Sequence, residues 1–269
     1  MAIITISRGS YSRGKDVAEK VAEKLGYECI AREVILEASK EFNIPELRLV
    51  KAVHDAPSIL ERFSYGKEKF VAYFETALLK RLRRDNVVYH GLAGHFYVKD
   101  VPHVLKVRII ADIEDRIKFL MEHENISYQS AQSRIKKDDS ERRKWGQHLY
   151  GIDTSDPMLY DLVVSVRRLS VDNVVNLICR TAKLDTFKTT PEGLQAMEDL
   201  VLSAEVRTAL LEVKPDIQVD ARSGVVFLGV GAQLMKDPER ITEIKKIASG
   251  VSGVREVKVD SSRMVEWTD

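Results

Sequence analysis

At 269 residues the chain has room for one large domain or two. Its 44% hydrophobic and 31% charged content is enough for a sizeable core and excludes a disordered chain. Two cysteines, Cys29 and Cys179, cannot build a disulfide framework, and no Cys/His cluster has zinc-ligand spacing. The formal net charge of +1 divides unevenly: residues 1–190 carry 32 Lys/Arg against 27 Asp/Glu, and residues 191–269 carry 10 against 14. A basic first part suits an anionic ligand, but so small an excess does not indicate nucleic acid. The N-terminus lacks the basic start of a signal peptide. Near the C-terminus, the uncharged run Gly224–Met235 is 12 residues, too short to span a bilayer. A reducing, cytoplasmic location is the expectation, and membrane partners are not expected.

The chain opens with Ile3-Ile4-Thr5-Ile6, a β-branched run that reads as a buried strand. A loop, Ser7 to Gly14, leads to a helix from Lys15 to Leu25 with Val17, Val21, Ala22 and Leu25 on one face and Gly26 as its C-cap. Helical patterns follow over Ala31–Phe42, Pro45–His54 and Lys67–Arg84, then a strand at Val87–Tyr89. Val104–Ala111 reads as a strand, Asp112–His123 as a helix, and Ser127 to about Lys144 as a charged helix. Leu159–Val166 is a further strand and Asp172–Ala182 a closing helix. Alternating strands and helices imply an α/β fold, a three-layer parallel sheet with helices on both faces. Lys183–Pro191 has no apolar period and reads as a linker, so residues 1–183 and 193–269 are expected as separate domains joined by 184–192. The second part reads as a helix (Gly193–Leu211), a strand (Ile217–Asp220), a turn (Arg222–Gly224), a strand (Val225–Val230), a helix (Pro238–Ala248) and a strand (Val254–Val259). That order makes a small α+β module.

Gly9-Ser10-Tyr11-Ser12-Arg13-Gly14-Lys15 fits G-x-x-x-x-G-K, between a buried strand and a helix start. Backbone N–H groups of such a loop converge on phosphate oxygens, and the helix dipole adds positive potential. Gly9 and Gly14 allow close backbone approach. Lys15 is placed to reach the outer phosphates and neutralise charge during transfer. Where this motif usually has Ser or Thr for magnesium stands Asp16, a candidate metal ligand that also brings negative charge to the triphosphate.

The segment ISRGSYSRGKDVAEKVAEKLGYECIAREVI resembles the opening of the cytidylate kinase-like family of P-loop nucleoside monophosphate kinases. Further segments follow in the family's order: NVVYHGLAGHFYVKDVPHVLKVRIIADIEDRIKFLMEHENIS, SRIKKDDSERRKW and DPMLYDLVVSVRRLSVDNVVNLI. The resemblance covers Ile3 to about Ala182 and implies a P-loop NTPase fold with ATP and Mg2+ as cofactors. It also implies γ-phosphoryl transfer to a (d)CMP-type acceptor. Arg134, Lys136, Lys137, Arg142, Arg143 and Lys144 place six cations within eleven residues, as a lid over a triphosphate would need, although interleaved Asp138, Asp139 and Glu141 also suit a solvated helix. The resemblance matches Lys137, Arg142 and Lys144 to the family's basic lid positions, with Arg143 a near alternative. It makes Lys15, Arg142 and Arg143 the candidate catalytic residues and Gly9 to Asp16 with Lys137 the nucleotide-binding set. Arg116 corresponds to a residue type the family keeps on the helix after the third strand.

On the acceptor side the chain departs from the family. Ala31-Arg32-Glu33 lacks the usual leading acid, and His90-Gly91-Leu92 stands where relatives have an Asp-Gly-Arg type signature. Arg32 could bind an acceptor phosphate bidentately, and His90 reads as a base or a hydrogen-bonded strand-end histidine. Arg32, His90 and Arg116 are the candidate substrate-binding residues. His54, His95 and His103 read as surface or packing residues. Residues 203–262 resemble the BON domain. The markers are Ile217-x-Val219 before Ser223-Gly224-Val225-Val226-x-Leu228-Gly229, and later Ala248-x-x-Val251-x-Gly253-Val254-x-x-Val257. This resemblance suggests a protein, ligand or self-association partner. Three readings stand: an active nucleotide kinase, a nucleotide-binding regulator or pseudokinase, and a structural protein with an empty loop.

Overall fold

The computed structural model describes residues 2–31, 33–42, 67–91, 94–215, 217–231 and 233–260. Arg32, Leu92 and the expected helix at Pro45–His54 with His54 lie outside the described residues. Alternation along β1 (Ile3–Arg8) sends Ile3 to one face of the sheet and Ile4 and Ile6 to the other, each 1% exposed or less. A loop then turns into α1 (Gly14–Leu25), whose Val17, Ala18, Val21 and Ala22 cover the Ile4/Ile6 face. Gly26, at φ 69°, ends the helix as expected.

The next strand, β2 (Glu28–Ile30), is one the sequence did not announce, because three residues are too few to display a period. α2 (Glu33–Glu41), α3 (Lys67–Leu82), β3 (Val87–His90), the one-turn α4 (Gly94–Tyr97) and β4 (Val104–Ile110) follow. α5 (Ile113–Glu124) precedes α6 (Tyr128–Tyr150), which runs beyond the expected Lys144. The expected strand at Leu159–Val166 shortens to β5 (Leu162–Ser165), since Pro157–Leu159 makes a 3-10 turn capped by Asp156. α7 (Val171–Thr181) completes this part, its start fixed by a capping box between Ser170 and Asn173.

The five strands form a parallel sheet in the order β2-β3-β1-β4-β5. α2, α3 and α4 cover one face, and α1 and α7 the other. β1 lies between β3 and β4, with Ile6 opposite His90 and Arg8 opposite Ile109. The chain leaves β1 first to one side and later crosses to the other, so a crevice opens at the carboxyl ends of β1, β3 and β4.

The segment expected as a plain linker is partly ordered by packing. Asp185–Phe187 forms a 3-10 turn, and Phe187 is buried in the core under α1 and α7. α8 (Pro191–Leu210) has Thr190 as its N-cap and two apolar sides. Met197, Val201 and Ala204 join the first core against α3, while Leu202, Val206 and Leu210 join a second. That second core lies under β6 (Gln218–Arg222), β7 (Val225–Gly229), α9 (Pro238–Ser249) and β8 (Glu256–Asp260), arranged β6-β7-β8. The hairpin turn sits where expected, with Ser223 and Gly224 at φ 47° and 80°. Among the described residues no helix is long and apolar enough to cross a membrane.

Candidate active site

In α6, Ala131 and Ile135 are fully buried against Ile117 and Leu120 of α5. Stepping on by helical spacing along the same side brings Asp139, Arg142 and Arg143 over the crevice. The apolar half of the helix thus anchors it, and its charged half delivers one acid and two bases. A cavity of about 190 Å³ opens there between β1, β4 and α6. Among the described residues its lining holds five arginines, Arg8, Arg108, Arg116, Arg142 and Arg143, against a single carboxylate, Asp139. Burial, and next the neighbouring Arg142, lower the Arg8 pKa; burial lowers that of Arg142 too, against the pull of Asp139. A cationic cluster this short of counter-charge is a place for an anion.

The loop between β1 and α1 forms the wall of the cavity on the β1 side. Tyr11 and Arg13 both have positive φ, 57° and 60°, conformations that a side chain disfavours. Gly14 is required at the helix start for a different reason: a β-carbon there would lie 2.7 Å from Arg8 Cβ and 2.8 Å from its Cδ. Ser12 is buried, and its hydroxyl donates to the Gly9 carbonyl at 2.9 Å. The Ser10 amide donates to Asp139 Oδ1 at 3.2 Å. Arg116 locks the pair, donating from Nε to the Ser10 carbonyl at 2.6 Å and from Nη2 to Asp139 Oδ2 at 2.7 Å. Arg142 donates to the Arg8 carbonyl at 3.0 Å.

Across the cavity is a polar corner. Arg108 donates to the Thr154 carbonyl at 2.5 Å, and the Tyr160 hydroxyl lies 2.9 Å from that carbonyl, 3.1 Å from Ser7 Oγ and 3.2 Å from His95 Nε2. Burial first, then Arg108, push His95 down to about 3, so it is neutral at pH 7. His90 ends β3 with Nδ1 buried and without a partner among the described residues, and burial followed by Arg8 pushes it down to about 4. Gly91 and Gly94 beside it are required by Tyr89, whose ring a β-carbon at either position would overlap.

The predicted residues separate into two groups. Gly9, Ser10, Arg116, Arg142 and Arg143 meet at the cavity or its loop wall. Lys15 does not line it: its side chain is 60% exposed and pairs with Glu19 at 3.6 Å. Lys137 is exposed and lies 3.9 Å from Glu141, and Tyr11 packs against the α5–α6 contact with Arg134 over its ring. Arg13 and Asp16 pair with each other at 3.2 Å. Sequence reasoning missed Arg8, Arg108, Asp139 and His95 as cavity residues, although an arginine within the apolar run Val104–Ala111 was a visible signal.

Asp16 pairs with Arg13 through one oxygen, both oxygens of Asp139 are engaged, and among the described residues no group of three or more His, Cys, Asp or Glu could hold a metal ion by itself.

Comparison with known proteins points one way. The description "Cytidylate kinase-like family" matches residues 3–168. A cytidylate kinase of Ignicoccus hospitalis is 26% identical over 181 residues, which are 67% of this chain and 98% of that protein. A cytidylate kinase of Staphylothermus marinus is 28% identical over 185 residues, 66% of this chain and 94% of that one. A crystal structure of an uncharacterized protein from Eubacterium ventriosum shares the fold with a TM-score of 0.53 at 21% identity, covering 67% of this chain and 97% of its own.

Proposed function

The chain belongs to the cytidylate kinase-like family, and from that footing we propose that it transfers the γ-phosphoryl group of ATP to a nucleoside monophosphate, with a (d)CMP-like acceptor foremost. The observation that carries this reading is the convergence of five arginines on one cavity beside the loop between β1 and α1. Phosphoryl transfer needs little covalent chemistry from a protein and much positioning of negative charge, which guanidiniums supply. In this reading the loop between β1 and α1 cradles the triphosphate, and Lys15 swings from Glu19 to its outer phosphates. Arg142 and Arg143 stabilise the group in transit. Arg116, tied to the Ser10 carbonyl, stands between the loop and the acceptor side, where Arg108 holds phosphate and to which the family resemblance also assigns Arg32 and His90. No step is assigned to a metal ion.

The test is a coupled assay of ADP formation with a panel of nucleoside monophosphates, run with and without magnesium. ADP formation that depends on the acceptor supports the kinase. Intact ATP binding with no acceptor dependence moves the chain to the second reading, a nucleotide-binding regulator. That reading is favoured by one feature, the neutral, buried His90 at the end of β3 in place of an acid.

We also propose that residues 193–269 form a BON-like module that carries a ligand or partner site, with 184–192 joining it to the kinase-like part. Its support is the order helix, hairpin, helix, strand around a core of its own.

A further inference from the structure

Among the described residues Asp139 is the only carboxylate in the cavity lining, and its two oxygens take the hydrogen bonds that a phosphate would seek. Oδ1 accepts from the amide of Ser10 in the loop, at 3.2 Å. Oδ2 accepts from the guanidinium of Arg116 at 2.7 Å, and the same guanidinium is tied to the Ser10 carbonyl at 2.6 Å. A backbone N–H and an arginine converging on two oxygens of one anion is the geometry of phosphate recognition. Around this pair stand Arg8, Arg142 and Arg143.

We propose that Asp139 is a built-in competitor for the anion site: it occupies a phosphate position in the empty protein, and a polyphosphate ligand binds by displacing it. The inference rests on the nucleotide-binding reading and adds a residue that sets affinity there. Displacing Asp139 from Ser10 and Arg116 removes two of the bonds that, with the one from Arg142 to the Arg8 carbonyl, hold the half of α6 beyond its apolar anchors, Ala131 and Ile135, two turns and one turn earlier. Ligand entry is therefore coupled to a shift of the segment that bears Arg142 and Arg143. The Ser10 hydroxyl, buried and without a hydrogen-bond partner among the described residues, is a further group such a ligand would satisfy.

The experiment measures binding of inorganic tripolyphosphate and of ATP by calorimetry to the full chain, to D139N and to D139A, with E122Q as a control for loss of one negative charge on the exposed side of α5. Asparagine keeps the shape and an acceptor oxygen for Ser10, so it guards against misfolding, and thermal unfolding is recorded in parallel. The expected result is roughly tenfold tighter binding in both Asp139 variants, little change in E122Q, and a lower unfolding midpoint for D139A without ligand. A purely structural role for Asp139 predicts loss of stability with weaker or equal binding, and that result overturns the proposal. If the unaltered protein binds both ligands and the Asp139 variants bind no better, the competitor is rejected while nucleotide binding stands. If no form of the protein binds either ligand, the nucleotide reading falls and the competitor falls with it.

Discussion

Gly14 and Lys15 are neighbours in one motif, yet they answer to different constraints. A methyl group at Gly14 would press on Arg8 within 2.8 Å, and Arg8 is itself half-buried at the cavity wall. Gly14→Ala is therefore expected to cost about 1–3 kcal/mol of stability through overpacking and to weaken ATP binding by shifting Arg8. Lys15 holds only an exposed pair with Glu19 at i,i+4, a contact of small worth. Lys15→Ala should leave stability within about 0.5 kcal/mol and lower ATP affinity by roughly tenfold or more. Denaturant unfolding beside calorimetry separates the two; a large stability loss in Lys15→Ala, or unchanged ATP affinity, contradicts this assignment. The motif was legible because its chemistry demands fixed residues at fixed spacing. Arg8, Arg108, Asp139 and His95 were not, because each reaches the cavity from a different element, two strands and two helices, and only the fold brings these together. Asp139 in particular reads in the sequence as one of several acids that neutralise a basic helix.

At the level of elements, period and caps made most of the chain readable. Gly26, Ser127 and the Ser223-Gly224 turn mark boundaries that the backbone obeys. What periodicity does not say is which layer a helix covers. In the sequence α8 reads as part of the C-terminal module, yet its apolar residues point two ways: Leu202, Val206 and Leu210 into that module, Met197, Val201 and Ala204 into the core of the parallel sheet. The polar segment before it hid a single buried anchor, Phe187. The two parts therefore share an apolar interface, which restrains their relative motion. Met197, 1% exposed, tests this. Met197→Ala is expected to cost about 2–5 kcal/mol and to destabilise the kinase-like part together with the module. Hydrogen exchange followed residue by residue provides the readout: faster exchange in α3 and β3 as well as in β6 and β7 is the expected pattern. Faster exchange confined to the module would mean that α8 contributes nothing to the parallel sheet.

Among the described residues the fold takes three histidines out of water, His90 at 7% exposed, His95 at 5% and His103 at 1%. Burial lowers the pKa of all three, to about 4 for His90 and about 3 for His95. The surroundings then act in the same sense on the first two, since Arg8 repels a proton on His90 and Arg108 one on His95. In the unfolded chain each histidine takes a proton near the ordinary value of about 6.5. Between that pH and the folded values the unfolded state binds protons that the native state refuses, so stability falls as pH falls. Each such histidine contributes a slope of up to ~1.4 kcal/mol per pH unit in this window and none above about pH 7.5. His95→Gln can still hydrogen-bond to the Tyr160 hydroxyl but has no proton to take up. It is expected to lose stability at pH 7.5 through imperfect packing, yet to lose about 2 kcal/mol less than the natural protein on going from pH 7.5 to pH 5. Chemical denaturation of both proteins at half-unit intervals gives the two slopes. Parallel curves would mean that His95 takes up its proton as readily in the folded protein as in the unfolded chain, against both its burial and the repulsion of Arg108.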